Sequence, residues 1–148
     1  MEEVKIKIKK LYEEDIPLPC YMTEHSAGMD LYAYLDKDLE IKPGERRLIS
    51  TGIAIAIPSG YEAQIRPRSG LAFKYGLTLL NSPGTIDADF RGEIGIILIN
   101  HGKEAYILKR GERIAQMVIN RVLKANLELI DKLPESKRGK GGFGHTGV

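Results

Sequence analysis

A distorted all-β jelly roll, or β-sandwich, is the fold the sequence predicts, on three observations. Short runs of β-branched and aliphatic residues recur along the chain with turn signals between them. The first of them alternates strictly, with Val4, Ile6 and Ile8 set against Lys5, Lys7 and Lys9, a period of two with one wet face. Room for helix is confined to Ser69–Tyr75 and Asp131–Ser136, neither long enough for more than a turn or two.

Taken in order, the lysine-bearing strand Val4–Lys9 suits a sheet margin, where like charges discourage edge-to-edge pairing. Asp30–Leu35 follows, then the apolar run Leu48–Ile57. Its segment Gly52-Ile53-Ala54-Ile55-Ala56-Ile57 pairs large with small residues, as a tightly packed sheet face requires. Tyr61–Arg66, Leu77–Leu80, Glu93–Ile99, Ala105–Leu108, Arg113–Val122 and Leu127–Ile130 complete the expected strands. Lys42-Pro43-Gly44-Glu45, Pro58-Ser59-Gly60, His101-Gly102 and Arg110-Gly111 mark turns between them. There is no internal repeat. Residues 1–133 therefore form one β core, and residues 134–148 a flexible Gly-rich C-terminal segment.

Composition narrows the function classes. The chain has 148 residues, enough for one core, and 43% hydrophobic residues to build it. Twenty-two basic against 20 acidic side chains leave a formal charge of +2, too balanced for a dedicated nucleic-acid or polybasic membrane binder. A single cysteine, Cys20, excludes an internal disulfide framework and a multi-cysteine metal knuckle. No apolar run approaches the ~20 residues that span a bilayer, and Met1-Glu2-Glu3-Val4-Lys5 is no signal peptide. The expectation is a cytoplasmic protein.

Familiar motifs are absent. Gly139-Lys140-Gly141-Gly142-Phe143-Gly144 has glycine spacing like a dinucleotide fingerprint, but only four residues follow it and no βαβ unit can form. His25, His101 and His145 lie far apart, without zinc-ligand spacing. What stands out is a series of five polar, Gly-punctuated islands: 27–33, 66–72, 84–93, 111–116 and 138–147. Each alone reads as a turn, and the last as a frayed terminus or as a backbone anion nest with Arg138 and Lys140. Together they supply carboxylates, guanidiniums, a serine, a glutamine and backbone donors, the inventory of a water-activating polyphosphate site.

In order and spacing the islands resemble the five motifs of the trimeric dUTP pyrophosphatase (dUTPase) family. Pro67-Arg68-Ser69-Gly70-Leu71-Ala72, Ile86-Asp87-Ala88-Asp89-Phe90-Arg91-Gly92-Glu93 and Arg138-Gly139-Lys140-Gly141-Gly142-Phe143-Gly144 are the most specific stretches. The resemblance implies a jelly-roll homotrimer with active sites shared at subunit boundaries. It implies Mg²⁺-dependent hydrolysis of dUTP to dUMP and pyrophosphate, which keeps uracil out of DNA and supplies dUMP for dTMP synthesis.

By the same resemblance Asp87 is the general base for the water that attacks the α-phosphorus. Asn81 and the hairpin backbone Gly84, Thr85 and Ile86 read uracil. Phe90, where the family usually has Tyr, packs under the deoxyribose; on its own it would read as a core aromatic. Arg68, Ser69, Gly70 and Gln116 match phosphate-binding positions, and Asp30 matches a carboxylate linked to the metal through water, Mg²⁺ being held mainly by substrate phosphates. Arg113 is expected to brace the fold. Phe143 stacks on uracil, while Arg138, Gly142, Gly144, His145 and Thr146 close on the phosphates; His145 stands where Ser is common. Among rivals, a dCTP deaminase on a related fold wants an acid in a strand that here reads Gly95-Ile96-Ile97-Leu98-Ile99-Asn100. A non-catalytic nucleotide binder and a capsid-like jelly roll are two more distant rivals.

Overall fold

The computed structural model describes residues 3–13 and 15–145. Among these residues, twelve strands and one short helix follow in chain order: β1 (Lys7–Lys10), β2 (Cys20–Tyr21), β3 (Met29–Tyr32), β4 (Leu39–Ile41), β5 (Arg46–Ser50), β6 (Ile53–Ala56), β7 (Tyr61–Arg66), α1 (Ser69–Tyr75), β8 (Leu77–Leu79), β9 (Gly84–Ile86), β10 (Gly95–Asn100), β11 (Tyr106–Leu108) and β12 (Arg113–Arg121). Their pairings are antiparallel. The largest sheet has the order β2-β3-β12-β7-β9, a second runs β5-β10-β8, and two strand pairs, β1-β6 and β11-β4, complete the set.

The core is almost entirely aliphatic. Leu31, Ile41, Ile49, Ile53, Ile55, Ile65, Ile96, Leu98 and Ile114 are among the side chains that fill it from the two larger sheets and both strand pairs. Among the described residues no aromatic ring is fully buried. Small partners such as Ala63 and Ala115 let the sheets approach, consistent with the large–small alternation of the sequence. The buried Asn100 is satisfied by donating to the carbonyls of Ile41 and Glu104, each at 2.9 Å, while its own oxygen accepts from Gly102 N at 2.8 Å.

Three expectations are corrected. Leu48–Ile57 is two strands, because the chain turns at Thr51-Gly52: Gly52 sits at φ +67° and its N–H donates to Glu93 Oε1 at 2.9 Å, while Thr51 Oγ1 donates to Ile94 O at 2.6 Å. Leu127–Ile130 is not a strand; Leu123, Leu127 and Leu129 are more than 90% exposed and belong to no sheet among the described residues. Asp131–Ser136 is not helical, whereas Ser69–Tyr75 is. The short strands β2 and β4, too brief to show a period, were not legible in the sequence.

Candidate active site

Strand β12 lies at the centre of the five-stranded sheet, and its register brings three islands together. Gln116 faces Asp30 of β3 on one side and Arg66 of β7 on the other. Between Arg113 and Ala115 the β12-β3 register slips, the mark of a β-bulge. Its effect is geometric. In a regular strand residues three apart point to opposite faces, yet with Ile114 and Ala115 both buried in the core, Arg113 and Gln116 line the same cleft.

That cleft has a volume of about 330 Å³ and is lined by Gly28, Asp30, Arg68, Ser69, Arg113 and Gln116, among others. Arg68 and Ser69 follow Pro67 as the chain leaves β7 and enters α1; Gln116 Nε2 fastens that corner by donating to Pro67 O at 3.0 Å. The far end of α1 is anchored by Tyr75, whose ring meets Tyr106 edge-on at 5.0 Å. Tyr106 in turn donates to Glu112 Oε2 at 2.7 Å, tying the helix to the turn that launches β12. Burial first, then this hydrogen bond, pushes the Tyr106 phenol well above its ordinary pKa.

The electrostatic centre is Asp30, 8% exposed. Its Oδ2 accepts from Arg113 Nη1 at 2.9 Å and its Oδ1 lies 3.4 Å from Arg68 Nε. Arg68 Nη1 also donates to Arg113 O at 3.1 Å. A buried carboxylate needs such partners, and two cations on one anion leave the cleft net positive.

A smaller cavity of about 40 Å³ lies at the other edge of the sheet, lined by Asn81, Gly84, Thr85, Ile86 and neighbouring apolar residues. Here β9 is the outermost strand, so one side of its backbone has no strand partner among the described residues and is open to a flat polar edge. A Cβ on Gly84 would come within 3.3 Å of Asn81 Nδ2 and 3.4 Å of Ile65 Cβ, so glycine keeps this corner open.

Asp87 follows directly after β9. Its backbone carbonyl accepts from Phe90 N at 3.1 Å, closing a tight turn, while its carboxylate is exposed and takes no hydrogen bond from the described residues. Arg91 braces the loop by donating to the carbonyls of Ala88 and Phe90. Phe90 is 42% exposed and is no core aromatic; its ring folds back over Gly92, where a Cβ would meet it at 2.7 Å. Neither Asp87 nor Phe90 lines either cavity.

The described residues of the C-terminal segment line neither cavity. Arg138 Nε donates to Gly141 O at 2.8 Å, and the His145 ring lies against the backbone of Gly141, in space a side chain there would fill. Phe143 adopts a positive φ of 49° with its ring wholly exposed. Gly142 and Gly144 flank it; Thr146 lies outside the described residues. Among the described residues there is no cluster of three His, Cys, Asp or Glu to cage a metal. Asp30 is the one carboxylate among them that lines the large cleft.

Residues 14–147 match the sequence model of the dUTPase family. The chain belongs to that family. It is 56% identical to the deoxyuridine 5'-triphosphate nucleotidohydrolase of Syntrophotalea carbinolica, with 99% of each chain covered, and 58% identical to that of Thermoanaerobacter sp. strain X514, with 97% of each covered. Among solved structures, the Staphylococcus bacteriophage 80alpha dUTPase with dUpNHpp superimposes with a TM-score of 0.88 at 27% identity, covering 97% of this chain and 99% of the other. For a dUTPase, the structure unites Asp30, Arg68, Ser69, Gly70 and Gln116 in one cleft and Asn81, Gly84, Thr85 and Ile86 in another, while Asp87, Phe90 and the described part of the tail line neither. The sequence assigns Arg113 a bracing role only. It does brace, but it also lines the cleft; the signal was two adjacent apolar residues, Ile114 and Ala115, between polar ones, the pattern a bulge leaves in a strand.

Proposed function

We propose that this dUTPase hydrolyses dUTP to dUMP and pyrophosphate at a site completed between copies of the chain. The observation that carries the reading is the large cleft, where one buried carboxylate holds two guanidiniums beside a serine hydroxyl, a glycine backbone and a glutamine amide. Charge-assisted hydrogen bonds from such groups are the strong ones for phosphate oxygens. The triphosphate lies there, against Arg68, Ser69, Gly70 and Gln116.

The uracil edge pairs with the open backbone side of β9 and with Asn81. Cytosine is refused because its exocyclic amine puts a donor where an acceptor is needed, and leaving such groups unpaired discriminates more strongly than a missing methylene. The 5-methyl of thymine is refused by size. Phe90 under the deoxyribose denies room to a 2′-hydroxyl. Asp87 takes a proton from the water that attacks the α-phosphorus. The α–β bridging bond breaks and pyrophosphate leaves with its electron pair. A placed general base supplies roughly 10²–10⁴-fold.

Magnesium fits this donor set only as an ion that brings its own ligands. With no carboxylate cage among the described residues, substrate oxygens and waters hold it, and Asp30 reaches it through water. When bound it offsets phosphate charge and polarises phosphoryl oxygens. The chain's own residues do the rest: they orient the triphosphate, select the base and deprotonate the water.

Assembly follows from the separation of the parts. Asp87 does not line the cleft of its own chain, and a homotrimer with heterologous contacts closes the ring so that one copy supplies the cleft and another the β9 turn. The exposed leucines at 123, 127 and 129 support a contact between copies. The segment 134–148 then closes over bound nucleotide, Phe143 on uracil and Arg138, Gly142, Gly144, His145 and Thr146 around the phosphates, excluding bulk water.

Pyrophosphate release from dUTP, with and without EDTA and beside dCTP, dTTP and UTP, tests the reading. Release is expected from dUTP alone and is suppressed by EDTA. Absence of release from dUTP, or ammonia production from dCTP, overturns it.

A further inference from the structure

We infer that Asp30 is a positioning residue for a pair of guanidiniums, Arg68 and Arg113, and that this role in triphosphate binding is separate from any contact with the metal. The inference rests on the cleft being the phosphate site. Three observations carry it. The two Asp30 oxygens are divided between the two arginines, Oδ2 to Arg113 Nη1 at 2.9 Å and Oδ1 to Arg68 Nε at 3.4 Å. Arg68 Nη1 also donates to the Arg113 carbonyl at 3.1 Å, so the two cations are held as one unit rather than as independent side chains. And the β12 bulge is what turns Arg113 toward the cleft, an arrangement a bracing residue alone does not need.

A guanidinium has five donors in a rigid fork. Asp30 meets Arg68 Nε and Arg113 Nη1, and the Arg113 carbonyl takes Arg68 Nη1, which holds both planes and leaves other donors for phosphate oxygens. Without the carboxylate, two like charges share one corner with nothing between them, and each swings away from the other.

Elementary electrostatics makes the test sharp, because the competing roles predict different outcomes. If Asp30 acted only as a charge, its removal would strengthen anion binding. If it served only the metal, its removal would leave metal-free binding unchanged. If it positions the arginines, metal-free triphosphate binding must weaken.

The experiment measures calorimetric affinity of the wild-type protein, Asp30→Asn and Arg113→Lys for α,β-imido-dUTP and for dUMP, all in EDTA. Asp30→Asn is expected to bind the imido triphosphate about tenfold more weakly in EDTA, with dUMP affinity changed less than about twofold. Arg113→Lys keeps the charge but loses the fork, and is expected to weaken triphosphate binding severalfold; it carries the test if Asp30→Asn does not fold. Unchanged or tighter metal-free binding in Asp30→Asn overturns the inference, as does wild-type affinity in Arg113→Lys. Failure of wild-type protein to hydrolyse dUTP would instead overturn the functional reading, independently of these affinities.

Discussion

Gly28 and Gln116 touch so closely that a Cβ on Gly28 would stand 2.6 Å from Gln116 Oε1 and 3.3 Å from its Cβ. The glycine therefore leaves room for the Gln116 amide, which donates to the Pro67 carbonyl. Gly28→Ala forces that amide to rotate off the cleft. Misplacement of about 1 Å at a reacting site can cost about 10²-fold, so kcat/KM for dUTP should fall roughly ten- to a hundredfold. Because Gly28 is only half-buried and does not need the left-handed backbone region, the thermal midpoint should move little. Steady-state kinetics beside a melting curve checks both.

Asp87 lines no part of the arginine cleft of its own chain, which makes complementation decisive. Asp87→Asn and Arg68→Ala proteins, each inactive alone, should regain activity when unfolded together and refolded. If a site takes its base from one copy and its cleft from another, about a quarter of the sites in a random mixture carry both intact parts. Absence of any gain would mean that both parts act within a single chain.

Removal of Arg138 to Val148 touches no core residue, since the described part of that segment is largely exposed and makes only local hydrogen bonds. The truncated protein should keep its melting temperature and assembly state while kcat/KM drops by about 10²-fold, the loss expected when a closing lid is deleted. An unchanged kcat/KM refutes the lid.

Gly52 turns the chain from β5 into β6 at φ +67°, with Ile16 packed where a side chain would go. Gly52→Ala adds both a left-handed backbone penalty and a clash, together costing about 1–3 kcal/mol or more. Urea unfolding should show the loss, with catalysis per folded protein largely retained because the turn lies outside the cleft.

Tyr106 gives a pH signature. Its phenol keeps its proton more tightly folded than unfolded, where the ordinary value is 10.0, so its contribution is complete below about pH 10 and fades as pH rises toward the raised folded value. Stability should therefore decline from about pH 10 upward. Tyr106→Phe should lose about 1 kcal/mol at neutral pH through the missing hydrogen bond to Glu112, and show a shallower alkaline decline. The residual slope belongs to Tyr12 and Tyr32, raised by the Glu93 charge and by the Cys20 contact respectively. Equal slopes in both proteins would remove Tyr106 from the account.

Much of this was legible in the amino acids. Alternation located β1, strand-like composition between turn signals located β7, and the polar islands include every residue of the large cleft except Met22 and Ser26, because motif residues obey local chemistry that a sequence displays. The split at Gly52 was hidden because Leu48–Ile57 is apolar on both sides of the turn, and its cause, Glu93, lies 41 residues away. Leu127–Ile130 misled for the converse reason: a run with strand composition pairs only where an edge is offered, and it pairs with no strand among the described residues. The part Arg113 plays in the cleft depended on a one-residue bulge, which periodicity averages away.

The bond between Asp30 and Arg113 joins residues 83 positions apart. During synthesis the first three quarters of the chain therefore emerge with an acidic corner and a single counter-cation, and the large cleft is not complete until β12 brings Arg113 and Gln116 between β3 and β7. Such distant closures are slow steps. Catalytic competence is thus among the last properties this polypeptide acquires, and regained substrate affinity would time the end of its maturation.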